Sequence, residues 1–489
     1  MKKTLSIVIA IAMIAAMLLP MSIFASAEVT EITNWQDFAL LVTDSLGEGN
    51  YKLTADVYCD QPIEGFFGTF DGNGHTVYLS ATMFMDVGAG AVIKNFTTEQ
   101  DPNAAATDAE GNPVEFKMYR SPVIDLASGS TEDMPIIVEN ITNNVDTYST
   151  TSFNQDPIGG IIGRTTGDNA IVMNNLVNNG DLCADDQTGG IIGNACHNSD
   201  TESLIIRAAN IVNNGKVSAV KKTGYGGGII GNVNGSIKGT LDYCFNFGDV
   251  SAAHDAGGII GDINGISELT ISNCAVKGTL VNNPDKFTGA DKTSAKYGAA
   301  GIIARSNAEA TVINIENCVI ATTLKADASE DGSAKASTDP FNVYSNGGLI
   351  TAKDCVYLHG MAVYGEQAFT TKTTSGFTTN DQVAINAKID EMLAAKNNAV
   401  ADTFVPPVSD TPADETTVPA GDETTAPAGN ETTAKPAGDN TTAKPADTNK
   451  PATTTAAPAE KSGCGSSISL AIVAVAAVGA VAIARKKEN

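Results

Sequence analysis

The chain has 489 residues, of which 56 are acidic and 30 basic, so its formal net charge at pH 7 is −26. A surface this acidic repels phosphate backbones, and we therefore expect no nucleic-acid partner. The sequence contains no nucleotide-binding loop, serine elbow, metalloprotease helix or calcium-binding repeat, and its four histidines share no metal-ligand spacing. The sequence therefore predicts neither a cofactor nor a metal site, and calcium binding by scattered aspartates such as Asp181, Asp185 and Asp186 is the alternative.

The start of the chain has the pattern of an export signal. Two lysines precede an apolar run from Leu5 to Leu19, and the small residues Ala25 and Ala27 suit signal peptidase. A membrane-spanning helix is the alternative, which the nearby cleavage pattern disfavours. We predict that residues 1–27 are a signal peptide and that the mature protein is exported.

The mature chain opens with an amphipathic pattern from Thr33 to Leu46. Apolar residues recur on one helical face, with Thr33 as the N-cap and Gln36 completing a capping box. The pattern predicts a helix that covers the first layer of the domain that follows. Trp35, the only tryptophan, is expected in the core, and a ligand-stacking role is its alternative.

A five-residue motif, GGIIG, recurs through the middle of the chain. Weaker copies, AGIIA and GGLI, follow at Ala300–Ala304 and Gly347–Ile350. Such repetition predicts a solenoid, in which each repeat buries its apolar face against its neighbours. The repeat glycines are Gly159, Gly160, Gly163, Gly189, Gly190, Gly193, Gly227, Gly228, Gly231, Gly257, Gly258 and Gly261.

A second signature follows each copy, a polar residue and then an apolar one. The pairs are Asn175-Leu176, Asn210-Ile211, Tyr243-Cys244, Asn273-Cys274, Asn317-Cys318 and Asp354-Cys355. Their apolar members (Leu176, Ile211, Cys244, Cys274, Cys318, Cys355) are predicted to form a buried core ladder. The same pair occurs at Asn95-Phe96 and Asn140-Ile141, where Met83–Val87 and Pro122–Leu126 replace the glycine motif, so the pattern extends to eight rungs.

The runs around these motifs are short, rich in Ile, Val and Thr, and bounded by Gly, Asn and Asp, which is typical of strands. Parallel strands stack equivalent side chains about 4.8 Å apart, so asparagines can hydrogen-bond along a column while apolar residues fill the interior. We therefore predict an all-β fold, a right-handed parallel β-helix over residues 28–366. A β-sandwich is the alternative, but it would not need one motif in register.

The GGIIG motif and its asparagine follow-on resemble the GLUG motif of bacterial surface proteins. The resemblance covers Met83 to Gly360. It implies a β-helical stalk and no chemistry.

Eight cysteines in an exported protein would ordinarily suggest disulfides. Four of them continue the core ladder, which favours buried free thiols, with disulfides between adjacent rungs as the alternative. Cys183 and Cys196 are a better disulfide candidate, and Cys59 has no obvious partner.

Two ligand-related patterns remain open in the repeats. Enzymes on β-helices use clustered carboxylates and basic residues, for which the candidates are Asp249, Asp255, Asp262, Arg164 and Arg305. Solvated faces in an acidic chain explain these residues equally well, and we favour a protein without catalytic activity. Exposed aromatic residues would instead indicate binding, with Tyr225, Phe245, Phe247 and Tyr297 as candidates.

The C-terminal part changes character after the repeats. Thr379–Asn397 predicts a second helix with Ile385, Ile389 and Met392 on one side, within a helical cap over residues 367–404 that closes the far end of the solenoid. Residues 405–461 are rich in Thr, Pro and Ala and predict a disordered linker.

The last segment predicts a membrane anchor over residues 462–489. Ile468–Ala484 is apolar or small and of membrane-spanning length, and basic residues follow it. This arrangement resembles Gram-positive surface proteins, although SGCGSS stands where a sorting motif such as LPxTG would lie. We therefore expect a membrane-anchored, adhesin-like protein that binds an extracellular glycan or protein. A polysaccharide lyase or glycoside hydrolase and a passive structural spacer are the alternatives.

Overall fold

The computed structural model is a parallel β-solenoid. It describes residues 28–107, 113–114, 116–149, 157–197, 199–220, 224–283, 298–326, 337–358, 373–374, 377–379 and 381–396. The predicted signal peptide, linker and membrane anchor, together with His359, Tyr297 and Cys464, lie outside these residues. Strands of successive rungs pair in parallel in four sheets, here numbered 1 to 4, so that the described chain confirms the predicted parallel β-helix and excludes the sandwich.

Sheets 1 and 2 are the larger pair. The strands of sheet 1 are Val29–Ile32, Asn50–Leu53, Val57–Cys59, Thr69–Asp71, Thr76–Leu79, Val92–Gln100, Ile136–Asn143, Asn169–Asn178, Ser203–Asn213, Ser236–Asn246, Glu268–Ser272, Ala275–Val276, Val312–Glu316, Val319–Ile320, Leu349–Lys353, Val356–Leu358, Thr373–Thr374 and Phe377–Thr379. The strands of sheet 2 are Phe84–Val87, Ile124–Ser128, Ile162–Thr166, Ile192–Ala195, Ile230–Val233, Ile260–Ile263, Ile303–Ser306 and Asn342–Ser345.

Sheets 3 and 4 lie between these two along the chain of each rung. The strands of sheet 3 are Thr147–Ser149, Leu182–Ala184, Val217–Ala219, Val250–Ala252, Thr279–Asn282 and Thr323–Ala326. The strands of sheet 4 are Ile158–Gly159, Gln187–Gly189, Tyr225–Gly227, Asp255–Gly257, Gly298–Ala300 and Ser337–Asp339. A short antiparallel pair, Ala106–Thr107 and Pro113–Val114, stands outside the four sheets.

The GGIIG motif forms the corner between sheets 4 and 2. Sheet 4 strands end at the first glycine, and sheet 2 strands begin at the second isoleucine. A Cβ on Gly190 would lie 2.0 Å from the carbonyl oxygen of Gly228 and 2.5 Å from the amide carbon of Asn213. The glycines are therefore required by the close approach of neighbouring rungs and of an internal asparagine.

The sheet 2 strands also show which segments replace the motif. Ile124–Ser128 pairs with the first GGIIG strand, Ile162–Thr166, and Phe84–Val87 pairs with Ile124–Ser128, as the eight-rung prediction requires. The prediction for GGLI is wrong, because Leu349 and Ile350 belong to sheet 1. The register instead pairs Ala300 with Asp339 and Ile303 with Asn342, so the last corner is a sequence without glycine.

The second signature has a backbone cause. The polar member of every pair has a left-handed φ between 48° and 62°: Asn95, Asn140, Asn175, Asn210, Tyr243, Asn273, Asn317 and Asp354. Asparagine and aspartate tolerate this conformation better than most residues. Each of these residues interrupts the sheet 1 strand pattern, and the side chain that follows is buried. The six core-ladder residues are all buried, with Leu176 beside Ile211 and Ile211 beside Cys244.

A second asparagine column runs through the interior. Asn143, Asn178, Asn213 and Asn246 are fully buried, and each of the first three donates through Nδ2 to the Oδ1 of the next at 2.7–2.8 Å. The same Nδ2 groups also donate to carbonyl oxygens two residues along the chain. The buried amides are thus hydrogen-bonded in a continuous ladder, which removes the cost of their burial.

None of the seven cysteines in the described part of the chain forms a disulfide with another. The predicted Cys183–Cys196 disulfide is therefore corrected; Cys196 is buried, and burial raises its pKa to about 12. The thiols of Cys274, Cys318 and Cys355 each reach a carbonyl oxygen of the preceding rung at 3.6–3.7 Å.

Helix α1 spans Trp35–Asp44 and packs its apolar side on the first rungs. Trp35 and Phe38 are fully buried, and the Trp35 ring lies edge-on to Phe70 at 6.0 Å. The predicted cap is wrong by one residue: Asn34 is the N-cap, and its side chain accepts from the backbone N–H of Asp37 at 2.8 Å. Thr33 is therefore one position too early.

Helix α2 spans Gln382–Lys396 and buries Ile385, Ile389 and Met392, the three residues predicted to share one side. They pack on an outer apolar column of sheet 1: Val212, Phe245, Ala275, Val319 and Val356. Lys396 Nζ donates to Asn210 Oδ1 at 2.9 Å. The prediction that this helix closes the end of the solenoid is therefore wrong, because it lies along the side and covers an apolar column that would otherwise face water.

Candidate functional site

A groove lies beside the turn where the chain passes from sheet 1 to sheet 3. Its volume is about 600 Å³, and polar and aromatic side chains line it. Gln100 and Asn144 come from the sheet 1 side, Tyr148 and Asp181 from the turn and sheet 3, and Lys117 from the segment that precedes the second sheet 2 strand. The groove thus combines side chains from several rungs.

Tyr148 is the exposed aromatic residue of this groove. In the strand Thr147–Ser149 the two flanking residues are buried and Tyr148 is 44% exposed, as strand alternation requires. Lys117 Nζ lies 5.0 Å from the centroid of the ring. The Lys117 ammonium group thus gives the groove a polar wall, and the open surface of the Tyr148 ring gives it an apolar wall.

Two carboxylates in the groove hold the turn together. Asp146 Oδ1 accepts the backbone N–H of Asp181 at 2.8 Å, and Asp181 Oδ1 accepts the backbone N–H of Lys216 at 2.8 Å. Both aspartates are exposed, and their Oδ2 atoms make no hydrogen bond within the described residues. Each therefore keeps one acceptor oxygen for a solute.

A ladder of amides, here called the outer amide ladder, continues from the groove. It consists of Asn144, Asn179 and Asn214. Asn144 Nδ2 donates to Glu99 Oε1 at 2.6 Å, Asn179 Nδ2 to Asn144 Oδ1 at 2.7 Å, and Asn214 Nδ2 to Asn179 Oδ1 at 2.8 Å. The ladder places one amide on each of three successive rungs.

A separate cluster of charged side chains is buried at the corner of sheets 4 and 2. Arg305 Nε and Nη2 each donate to Asp262 at 2.8 Å, and Nε lies 3.1 Å from Asp255 Oδ2. His254 Nδ1 is 2.6 Å from the same Asp255 oxygen, and Tyr225 OH accepts from Arg305 Nη2 at 3.0 Å. Both carboxylates are fully buried and the arginine is 7% exposed.

Burial dominates the electrostatics of this cluster. It raises the pKa of Asp262, although the paired Arg305 acts in the opposite direction. Burial alone would lower the pKa of Arg305, but Asp262 and Asp255 raise it above its ordinary value. Burial also raises the pKa of Tyr225. Each of these groups is paired with another inside the cluster, which suits cross-linking of rungs better than contact with a substrate.

The structure thus brings together only three of the five residues considered for catalysis. Asp255, Asp262 and Arg305 meet in the buried cluster, whereas Arg164 lies 3.3 Å from Asp125 in another cluster. Asp249 Oδ1 accepts the backbone N–H of Thr279 at 2.7 Å.

The aromatic candidates differ as well. Phe245 is fully buried, Phe247 packs beside it against the helix α2 cluster, and Tyr225 lies against His254 with ring centroids 4.9 Å apart. The exposed aromatic residue of the groove, Tyr148, was missed. The signal that could have found it is the polar alternation of Thr147–Ser149 around one aromatic residue.

No family model, curated protein or solved structure matches this chain. Among the described residues, no group of three or more His, Cys, Asp or Glu side chains is arranged to hold a metal ion. Neither of the two described helices has the length and apolarity to cross a membrane.

Proposed function

We propose that this protein is an adhesin-like binding protein of the cell surface and that the groove at Tyr148 binds an extracellular glycan. The observation that carries the proposal is the exposed Tyr148 ring beside free acceptor oxygens of Asp146 and Asp181 and the outer amide ladder. Sugars offer apolar C–H faces to aromatic rings and hydroxyl groups to amides and carboxylates. A concave site with few convergent polar groups is suited to such a ligand.

The proposed display depends on the two ends of the chain. Residues 1–27 would direct export, residues 405–461 would form the linker, and residues 462–489 would hold the protein in the cytoplasmic membrane. The resemblance to GLUG-motif surface proteins of Gram-positive-type bacteria supports this arrangement. Right-handed winding of the solenoid belongs to the same proposal, because parallel crossovers are overwhelmingly right-handed.

Binding is preferred over catalysis for a chemical reason. The cluster with two carboxylates and an arginine is buried and internally paired, and the groove aspartates each use one oxygen to hold a backbone N–H. A polysaccharide lyase or glycoside hydrolase would need a carboxylate or base placed on the substrate bond. A passive spacer would not need an open aromatic ring in a groove.

A glycan array probed with the full-length protein in detergent tests the proposal. The wild type should bind a subset of glycans, and Tyr148→Ala should lose that binding. Tyr119→Ala is the matched control, because Tyr119 is 53% exposed and does not line the groove. Shortened glycan products would favour the enzyme, binding to proteins alone would favour a protein ligand, and no binding to either would favour the spacer.

A further inference from the structure

A column of six side chains runs along one outer side of the solenoid, one per chain pass. Tyr58 pairs in register with Tyr78, and Tyr78 with Glu99. Glu99 accepts from Asn144, where the outer amide ladder begins. The column therefore joins two tyrosines, one carboxylate and three amides in a single line, here called the axial track.

The tyrosine end of the axial track is an exposed aromatic surface. The rings of Tyr58 and Tyr78 are stacked, with centroids 4.9 Å apart and planes 21° apart. Tyr58 is 46% exposed, and its neighbours in the strand Val57–Cys59 are buried. Tyr78 is half-buried and Tyr58 leaves close to half of its surface open, so the pair offers an aromatic surface to a flat apolar ligand face.

The amide end keeps hydrogen-bonding capacity. A side-chain amide has two N–H donors and two acceptor positions. Asn144 and Asn179 each use one donor and one acceptor position in the ladder, and Asn214 uses one donor. Asn179 and Asn214 are exposed. Each of the three amides thus presents a donor and an acceptor that the fold does not use.

We propose that the axial track and the groove at Tyr148 together bind one linear, uncharged polysaccharide whose chain runs parallel to the solenoid axis. This inference rests on the proposed function and extends it. Six positions one rung apart span about 24 Å at the spacing of parallel strands, so the ligand is a polymer of several sugar units. An uncharged chain fits because Glu99, Asp146 and Asp181 line the path and the net charge is −26.

Length dependence of binding tests the inference. The probes are two series of two to six units, cello-oligosaccharides and N-acetylchito-oligosaccharides, titrated into the full-length protein in detergent. At least one series should bind with an affinity that rises by at least about tenfold from three to six units, because longer chains reach the tyrosines. In the double variant Tyr58→Ala with Tyr78→Ala, the six-unit chain should fall to the affinity of the three-unit chain, which itself stays unchanged.

Controls separate this inference from the proposed function. Tyr148→Ala and Asn179→Leu should weaken all lengths, because both residues belong to the proposed groove site, and Tyr119→Ala should change none. Circular dichroism checks that each variant is folded. Equal affinity for three and six units would overturn the axial track and leave glycan binding intact. Failure of both series to bind would overturn the axial track, and binding of other array glycans would then still support the groove.

Discussion

The left-handed asparagine column offers the sharpest test of how this fold is specified. Asn175 has φ of 52°, donates to Asn140 Oδ1 at 2.9 Å and accepts from Asn210 Nδ2 at 3.4 Å. Alanine in a left-handed conformation costs about 1–2 kcal/mol. Loss of two exposed hydrogen bonds adds about 0.5–1 kcal/mol at the weak end of the usual range. We expect Asn175→Ala to lower the free energy of unfolding by about 1.5–3 kcal/mol.

Asn179→Ala is the matched control. Asn179 is also exposed and also makes two ladder bonds, but its φ is not left-handed. The Asn179→Ala substitution should therefore lower the free energy of unfolding only by the loss of the two hydrogen bonds, about 0.5–1 kcal/mol. Asn175→Gly should likewise lose the ladder bonds without the left-handed cost, although glycine adds its own backbone entropy of about 0.5–1 kcal/mol.

Urea unfolding of the full-length protein, followed by circular dichroism, measures these differences. In a temperature scan followed by the same signal, the thermal midpoint should fall by about 2–4 °C for Asn175→Ala and about 1 °C for Asn179→Ala, given the entropy of unfolding of a domain this size. Equal destabilisation by the two alanine variants would refute the reasoning, because the backbone conformation would then contribute nothing.

Three further predictions concern the interior. Gly190→Ala should destabilise the fold by at least about 1–3 kcal/mol, because its methyl group meets the Gly228 carbonyl and Asn213; a urea midpoint equal to wild type would contradict this. Arg305→Met should cost about 3–5 kcal/mol by leaving the buried Asp262 carboxylate without its cationic partner, and a calorimetric midpoint within error of wild type would show that the pairing is dispensable. Cys274 should resist iodoacetamide until denaturation, because burial raises its pKa, and mass spectrometry detects early labelling.

The fold could be predicted because each rung repeats the same two backbone requirements, a close approach at the corner of sheets 4 and 2 and a left-handed residue in sheet 1. Glycine at positions such as Gly190 and a left-handed asparagine such as Asn175 both recur in the sequence once per rung, at irregular intervals. GGLI misled because its composition resembles the motif, but its glycines lie in a bend, where Gly347 has φ of 78°, and its Leu349 and Ile350 begin a sheet 1 strand. The amino-acid composition of a segment does not determine which rung position it occupies. The strand pairing of Ala300 with Asp339 does, and it places the last corner at a sequence without glycine.

The site was harder to predict because its residues are brought together by stacking. Tyr58, Tyr78 and Glu99 become neighbours only when the register of three strands is known. Helix α2 shows the same limit: its apolar side was evident from periodicity, but the outer column from Val212 to Val356 that receives it is visible only in the assembled sheet. Periodicity gives the face that an element buries, and the partner surface has to come from topology.

Adjacent asparagines separate the structural role from the proposed binding role. Asn178 points its amide into the interior, where Nδ2 donates to both Gly180 O and Asn213 Oδ1, and Oδ1 accepts from Asn143. Both of its donors are therefore used by the fold. Asn179 makes the equivalent ladder contacts outside, but its second donor faces solvent. The same one-rung spacing that saturates the inner amides thus repeats unused donors along the surface, where a polymer with a regular repeat can meet several of them at once.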